Sequence, residues 1–127
     1  MKLSFSTLPC EGWDAQMLIK SCQSLGYSGI ELKEDHNYAV TLATPEQELR
    51  LIADQFRAAG ITITNIGSKV IFNGIQPEEV KALTELKQYI QMASTLGAKG
   101  VRIFLGSYLR FVKQREQLHD VERIISY

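Results

Sequence analysis

The stretch GIELKEDH, at residues 29–36, carries the alternation that decides the fold of this chain. Ile30 and Leu32 fall on one side of the alternation, and Glu31 and Lys33 fall on the other. Because successive side chains of a β-strand point to opposite faces, the pattern predicts a short strand with one apolar and one charged face. A charged strand face between two helical segments indicates a lined cavity.

Outward from this strand, the chain repeats a unit made of one strand and one helix. Alternating or β-branched segments predict the other strands at residues 2–7, 61–66 and 101–105. Apolar residues at helical spacing predict three helices that end at Gly26, Gly60 and Gly97, and a fourth at about residues 112–125. The chain is therefore expected to be a series of four strand–helix units.

Several residues mark where the helices begin and which of their faces are buried. Asp14 is the predicted N-cap of the first helix, and Thr44 that of the second, with Pro45 in its first position. Residues 67–74 are predicted to be a loop. The apolar stripe of the third helix is predicted to include Val80, Leu83, Leu86, Lys87, Ile90, Ala93 and Leu96.

A weak internal repeat supports this organisation. LGYSGIEL at residues 25–32 matches LGAKGVRI at residues 96–103 in residue type. In both segments a helix ends on a glycine, and a second glycine precedes a strand that carries a charge on its polar face. The fold class predicted by this repeat is α/β, with parallel (β/α) units and right-handed crossovers.

The polarity of the strands favours a barrel over an open sheet. Central strands of an open doubly wound sheet are covered on both faces and are nearly continuous apolar runs. Here each strand has one apolar and one largely polar face, as in a (β/α)₈ barrel whose interior contains a polar pocket. The polar face is predicted to carry Ser4, Ser6, Glu31, Lys33, Thr62, Thr64 and Arg102.

The length of the chain fits only half of such a barrel. A complete barrel needs roughly 250 residues, and this chain has 127. We therefore interpret residues 1–127 as a single domain with the form of a (βα)₄ half-barrel. Both outer strands would then have unpaired edges. Three alternatives follow: two chains complete a barrel, the chain is a fragment of a longer protein, or the sheet is open and flavodoxin-like.

The amino-acid composition argues against some classes of function and indicates a cellular compartment. The 14 basic and 14 acidic residues balance, which argues against a nucleic-acid-binding surface. The two cysteines, Cys10 and Cys22, lack metal-ligand spacing and indicate reduced thiols. Neither a signal peptide nor an apolar run long enough to cross a membrane is visible. We expect a cytoplasmic protein.

GYSGIEL at residues 26–32, together with GAKGVRIFLG at residues 97–106, resembles the N-terminal half of the xylose isomerase-like TIM barrels. That superfamily includes sugar and sugar-phosphate isomerases and epimerases, inositol-catabolism dehydratases and endonuclease IV-type repair enzymes. The resemblance implies a divalent metal held by Glu, Asp and His on later strands, and two glutamates there for proton transfer. No position of this chain matches those residues, so no cofactor and no catalytic residue is predicted within it.

The resemblance also implies roles for residues of the second, third and fourth strands. Glu31 corresponds to a strand-two glutamate that lines the pocket, and the loops after Lys33, Ile66 and Leu105 would form part of its rim. Endonuclease IV-type members have histidines after the third and fourth strands. This chain has residues 65–68 (NIGS) and 106–108 (GSY) there, which argues against a role in DNA repair.

The candidate site residues have ordinary structural interpretations as well as functional ones. Glu31 either binds a sugar hydroxyl or a metal-bound group, or forms an interior ion pair with Lys33, Lys2 or Arg102. His36 follows the second strand, where a histidine could take part in proton transfer, but a lone histidine on a loop is more often simply solvated. The predicted substrate-binding residues are Glu31, Lys33, His36, Asn65, Ser68, Arg102 and Trp13.

Two hypotheses of different classes follow. The first is half of a sugar isomerase- or epimerase-type barrel that binds a sugar or sugar phosphate and is inactive alone. The second is a non-catalytic binding or assembly module that forms a homodimer through its sheet edges. An open sheet with a nucleotide-binding or regulatory role is a third interpretation. Neither nucleic acid nor a membrane is expected as a partner.

Overall fold

The computed structural model describes residues 1–72 and 78–106. They form a four-stranded parallel sheet with the strand order β1-β2-β3-β4. The strands and helices alternate along the chain, as β1 (Ser4–Ser6), α1 (Ala15–Leu25), β2 (Gly29–Lys33), α2 (Glu46–Ala58), β3 (Thr62–Phe72), α3 (Glu78–Leu96) and β4 (Gly100–Leu105). The predicted α/β fold class is confirmed, whereas the predicted helix at residues 112–125 lies outside the described residues.

The order of the strands distinguishes between the predicted architectures. Each strand pairs with the next one in sequence, so the sheet runs in one direction from β1 to β4. A flavodoxin-like sheet has its second strand outside its first, in the order 2-1-3-4-5. The flavodoxin-like alternative is therefore wrong, and the sequential order is that of a barrel wall.

The hydrophobic core lies between the helices and one face of the sheet. Ile30, Leu32 and Ile66 are at most 1% exposed, and they pack with buried residues of α1, α2 and α3. The opposite face, which we call the open face, carries polar side chains or glycines in two rows of paired residues. These are Ser6, Glu31, Asn65 and Gly100 in one row, and Lys33, Gly67 and Arg102 in the next.

Strand β3 is longer than predicted. It extends over Thr62–Phe72, so residues 67–72, predicted as loop, continue the strand. A bulge changes the register: Ile30 pairs with Ile63, but Glu31 pairs with Asn65, which leaves Thr64 as the extra residue. The bulge keeps both Ile63 and Ile66 in the core despite their odd spacing.

The helix ends agree in part with the sequence predictions. Asp14 is the N-cap of α1, and its Oδ1 accepts a hydrogen bond of 2.8 Å from the Met17 N–H. The predicted Thr44 cap is wrong, because Pro45 occupies the N-cap position of α2 and makes no side-chain cap bond. The Thr44 hydroxyl instead accepts the Thr41 N–H within the preceding loop.

The buried face of α3 also differs from the prediction. Val80 and Ile90 are more than half exposed, and the buried residues of the helix include Ala82, Tyr89 and Met92. The reason is that α3 has apolar side chains on two sides, and only one of them faces the sheet and α2. The other, with Leu86 and Ile90, lines a groove beside β4.

Candidate functional site

Glu31 is the centre of a polar network on the open face. The Ser6 hydroxyl donates to Glu31 Oε1 at 2.7 Å, and the Arg102 Nε–H donates to Glu31 Oε2 at 3.0 Å. The Glu31 side chain is 14% exposed and that of Arg102 is 34% exposed. Of the three partners that the sequence suggested for Glu31, the structure shows Arg102. The carboxylate thus joins strands β1, β2 and β4.

Gly67 makes this contact across the sheet sterically feasible. It lies on β3, between Lys33 and Arg102 in the same row. A Cβ atom at Gly67 would be 2.9 Å from Arg102 Nη2 and 3.4 Å from Glu31 Oε1. The first distance is shorter than van der Waals contact allows, so the guanidinium occupies the space that a side chain would need. Gly67, which the sequence assigned to a loop, therefore leaves the space that the ion pair occupies.

The open face has an excess of cationic groups around Glu31. The Arg102 guanidinium lies over the Phe104 ring, 5.2 Å from its centroid, which fixes it from a second side. Lys33 is half-buried in the neighbouring row, and within residues 1–72 and 78–106 no carboxylate forms an ion pair with it. Two cations beside one carboxylate favour an anionic group on a bound molecule.

Asn65 completes the row that contains Glu31. Its side chain extends over the start of β4, because a Cβ atom at Gly100 would lie 2.9 Å from Asn65 Oδ1. The residue is exposed, which leaves its amide accessible to solvent or to a ligand. Its position beside Glu31 depends on the bulge, because without the extra Thr64 the alternation would place Asn65 on the buried face.

A second charged group lies beyond the end of β2. Asp35 Oδ1 is 2.8 Å from Lys69 Nζ and 2.9 Å from His36 Nδ1. The hydrogen bonds from Lys69 and then from His36 hold the pKa of the Asp35 carboxyl well below its usual value. The same contact with Asp35 raises the pKa of Lys69. His36 itself is 82% exposed, so it has a carboxylate partner and open access to solvent.

Sequence reasoning missed a buried pair of polar residues next to this group. Glu34 is 5% exposed and Tyr89 is 3% exposed. The Tyr89 hydroxyl donates to Glu34 Oε2 at 2.5 Å, and the Leu42 N–H donates to Glu34 Oε1 at 3.0 Å. Burial, followed by the bond to Glu34, raises the pKa of Tyr89. The pair attaches the loop after β2 to α3. It thereby fixes the backbone segment that carries Asp35 and His36.

The structure brings four of the seven predicted substrate-binding residues to the open face, namely Glu31, Lys33, Asn65 and Arg102. His36 lies at the edge. Ser68 is placed elsewhere: it is fully buried on the helix-covered side, where its hydroxyl donates to the Arg102 carbonyl at 2.6 Å. Trp13 lines a groove between α1 and α2. Neither of these two side chains contributes to the open face.

The donor set of the open face does not suit a metal ion. Both oxygens of Glu31 accept hydrogen bonds, and a bound cation would lie next to the Arg102 guanidinium. No group of three or more His, Cys, Asp or Glu side chains in the described part of the chain could hold a metal ion. In the same part, no helix has both the length and the apolar character required to cross a bilayer.

Comparison with known proteins shows that the fold is similar to that of several solved structures. No family model matches the sequence, and a search of curated proteins finds no match. Among solved structures, the chain is similar to the probable 3-DHS dehydratase AsbF from Bacillus anthracis, with a TM-score of 0.70 at 20% identity. It is equally similar, with a TM-score of 0.70 at 23% identity, to the IolI protein, whose structure contains a zinc atom.

A xylose isomerase domain containing protein from Salmonella typhimurium is a third similar structure, with a TM-score of 0.68 at 15% identity. These matches cover 95–99% of this chain but only 43–46% of the three longer proteins. The chain thus spans less than half of the length of the structures that it matches. Its architecture is that of a (βα) half-barrel. In fold, the chain is similar to part of the barrel in each of these three structures.

Proposed function

We propose that this chain provides the substrate-binding wall of a sugar or sugar-phosphate isomerase- or epimerase-type barrel. The reaction would be metal-assisted proton transfer next to a carbonyl group. The observation that carries the proposal is the ion pair of Glu31 and Arg102 beside Gly67, with Lys33 in the same row as Gly67 and Arg102. Such a fixed group of charges on the polar face of a barrel wall is suited to holding a polyhydroxylated anion.

Each residue of the open face has a distinct part in this proposal. Lys33 and the Nη groups of Arg102 would bind a phosphate or carboxylate of the substrate. The Glu31 carboxylate would accept a hydrogen bond from a sugar hydroxyl, and Asn65 would donate to another. Since Ser6 and Phe104 already orient the charged pair, little side-chain freedom would be lost on binding.

The metal and the acid–base groups would come from further (βα) units that complete the barrel. Both oxygens of the Glu31 carboxylate already accept hydrogen bonds, from Ser6 and from Arg102, so this side chain is placed to bind substrate and not to transfer a proton. This chain alone would therefore bind substrate without converting it. We expect it to act in the cytoplasm, where Cys10 and Cys22, both free and buried, would stay reduced.

A binding titration with matched variants tests the anion site. Xylulose 5-phosphate and xylulose would be added to the chain, with binding followed by protein NMR chemical shifts. We expect the phosphate ester to bind more tightly, and Lys33→Met to weaken its binding about tenfold or more, as the loss of one charged hydrogen bond does. Lys20→Met, an exposed lysine on α1, is the control and should have no effect. Equal binding of both sugars would contradict the proposal.

A second candidate function is that of a non-catalytic module that assembles through its sheet edges. It is supported by the position of β1 and β4 at the two ends of the sheet. The groove beside β4, lined by apolar residues that include Ile90, Val101 and Ile103, supports it further. Light scattering would show a homodimer of twice the 14.3 kDa chain mass if two copies complete one barrel. A monodisperse monomer would contradict this candidate.

A further inference from the structure

A groove of about 490 Å³ lies in the helical layer, apart from the open face. We call it the helix groove, and define it by Trp13, Gln16, Tyr38, Glu48 and Gln55. Its walls are the start of α1, the part of α2 from Glu48 to Gln55 and the loops that follow β1 and β2. Among residues 1–72 and 78–106, no strand residue lines it. A molecule bound there would not contact Glu31 or Arg102.

The two loops that form one wall are joined by three hydrogen bonds. The Gly12 N–H donates to the Asn37 carbonyl at 2.7 Å, and the Asn37 amide donates to Glu11 at 2.8 Å. The Tyr38 hydroxyl donates to the Leu8 carbonyl at 2.7 Å. These bonds hold together the two loops that carry Trp13 and Tyr38. The groove is therefore formed before any ligand arrives, which reduces the entropy lost on binding.

The surface of the helix groove is apolar at its base and polar at its margin. Trp13 packs partly against the core and presents the rest of its indole to the groove, and Leu51 beside it is 59% exposed. Gln16, Glu48 and Gln55 are exposed, and within the described residues their side chains form no hydrogen bond. The groove thus combines an aromatic face with amide and carboxylate groups to which the described part of the chain offers no hydrogen-bond partner.

We propose that the helix groove binds a neutral sugar ring as a second ligand site, independent of the open face. A pyranose has an apolar C–H face and a margin of hydroxyl groups, and these match the indole and the two glutamines with Glu48. The volume lies within the range of roughly 300–1,000 Å³ that is usual for small-molecule sites. Glu48 would accept two sugar hydroxyls, and the glutamine amides would both donate and accept.

The test uses the fact that Trp13 is the only tryptophan of the chain. Its fluorescence therefore reports on the helix groove alone. The complete 127-residue chain would be titrated with glucose and with xylose, and with glycerol as a control for solvent effects. We expect a saturable change of emission with either sugar, at a Kd of about 1–10 mM, and a linear change with glycerol. Identical linear changes with all three compounds would overturn the proposal.

Variants locate the binding and separate it from the proposed function. Gln55→Ala and Glu48→Gln should each weaken sugar binding about fivefold, the effect of one lost hydrogen bond. Gln23→Ala, an exposed glutamine of α1 outside the groove, should leave it unchanged, and so should Lys33→Met. If Lys33→Met alone abolished the signal, the sugar would be bound on the open face and the helix groove would carry no site. Equal affinities of all four variants would likewise overturn the proposal.

Discussion

At Gly67, the absence of a side chain allows Arg102 to reach Glu31. We expect Arg102→Met to lower the free energy of unfolding by about 1 kcal/mol, because it leaves a half-buried carboxylate without its ion-pair partner. In a Gly67→Ala background, where the new Cβ displaces the guanidinium, the same substitution should have almost no effect. Urea denaturation of the four proteins measures this difference. An equal loss in both backgrounds would show that Gly67 has no part in the contact.

The buried bond between Tyr89 and Glu34 makes a second prediction. Tyr89→Phe removes the hydroxyl and leaves Glu34 Oε2 buried without that donor. The expected cost is about 1–3 kcal/mol of unfolding free energy. Tyr27→Phe is the matched control, since Tyr27 is only half-buried and its ring packs edge-on against Phe5. The same small change for both variants in thermal denaturation would argue against a role for the Glu34 contact.

The pair of Asp35 and Lys69 makes a prediction about pH. The pKa of Asp35 in the folded chain is depressed below the unfolded value of about 3.9. Its stabilising contribution is therefore complete above that pH and is lost as the pH falls through the depressed pKa. Lys69→Met should lower stability at pH 6, and the difference from wild type should shrink below about pH 4. A difference that stays constant down to pH 2 would contradict this assignment.

The sequence identified individual residues better than it identified their partners. Alternation alone placed Glu31 and Arg102 on one face, because the side chains of a strand alternate regularly. It could not choose among the lysines and arginine as partners, since that choice depends on the glycine of the intervening strand. The bond between Glu34 and Tyr89 was not predictable, because the two residues are 55 positions apart and their contact depends on how α3 packs.

At the level of secondary-structure elements, a helix N-terminus that is capped by a side-chain hydrogen bond was predicted best. Asp14→Ala should destabilise the chain by about 1 kcal/mol, since it removes the bond that Asp14 accepts from the Met17 N–H. Asp54→Ala, which removes only an exposed ion pair on α2, should change stability by less than about 0.5 kcal/mol. Chemical denaturation of both variants is the measurement. If the two losses were equal, the cap would contribute no specific stability.

Strand β3 and helix α3 show where patterns fail. Gly67 and Ser68 have the composition of a turn, yet both lie within β3, because Gly67 leaves room for the guanidinium and Ser68 bonds to the Arg102 carbonyl. The stripe of α3 was misassigned because Val80 and Ile90 are apolar but exposed. In β3, contacts with the neighbouring strand β4 outweighed the turn-like composition of the segment. In α3, an apolar side chain was not enough to show which side of the helix is buried.

At the scale of the whole molecule, the polarity of the strand faces predicted the barrel-type sheet correctly. The faces were informative because a parallel sheet covered by helices on both faces would have nearly continuous apolar strands, whereas a barrel with a polar pocket has one polar face. The length of 127 residues indicated half a barrel, and the matched structures are indeed more than twice as long as this chain.

The central claim is that this chain binds a sugar phosphate but leaves proton transfer to other (βα) units. Proton NMR of xylulose 5-phosphate in deuterated water, with the chain and Zn²⁺ present, tests both parts at once. We expect saturable shifts of the sugar signals on binding, and exchange of the proton next to the carbonyl no faster than in buffer with Zn²⁺ alone. Exchange accelerated by the chain, or unshifted sugar signals at saturating protein, would contradict the account.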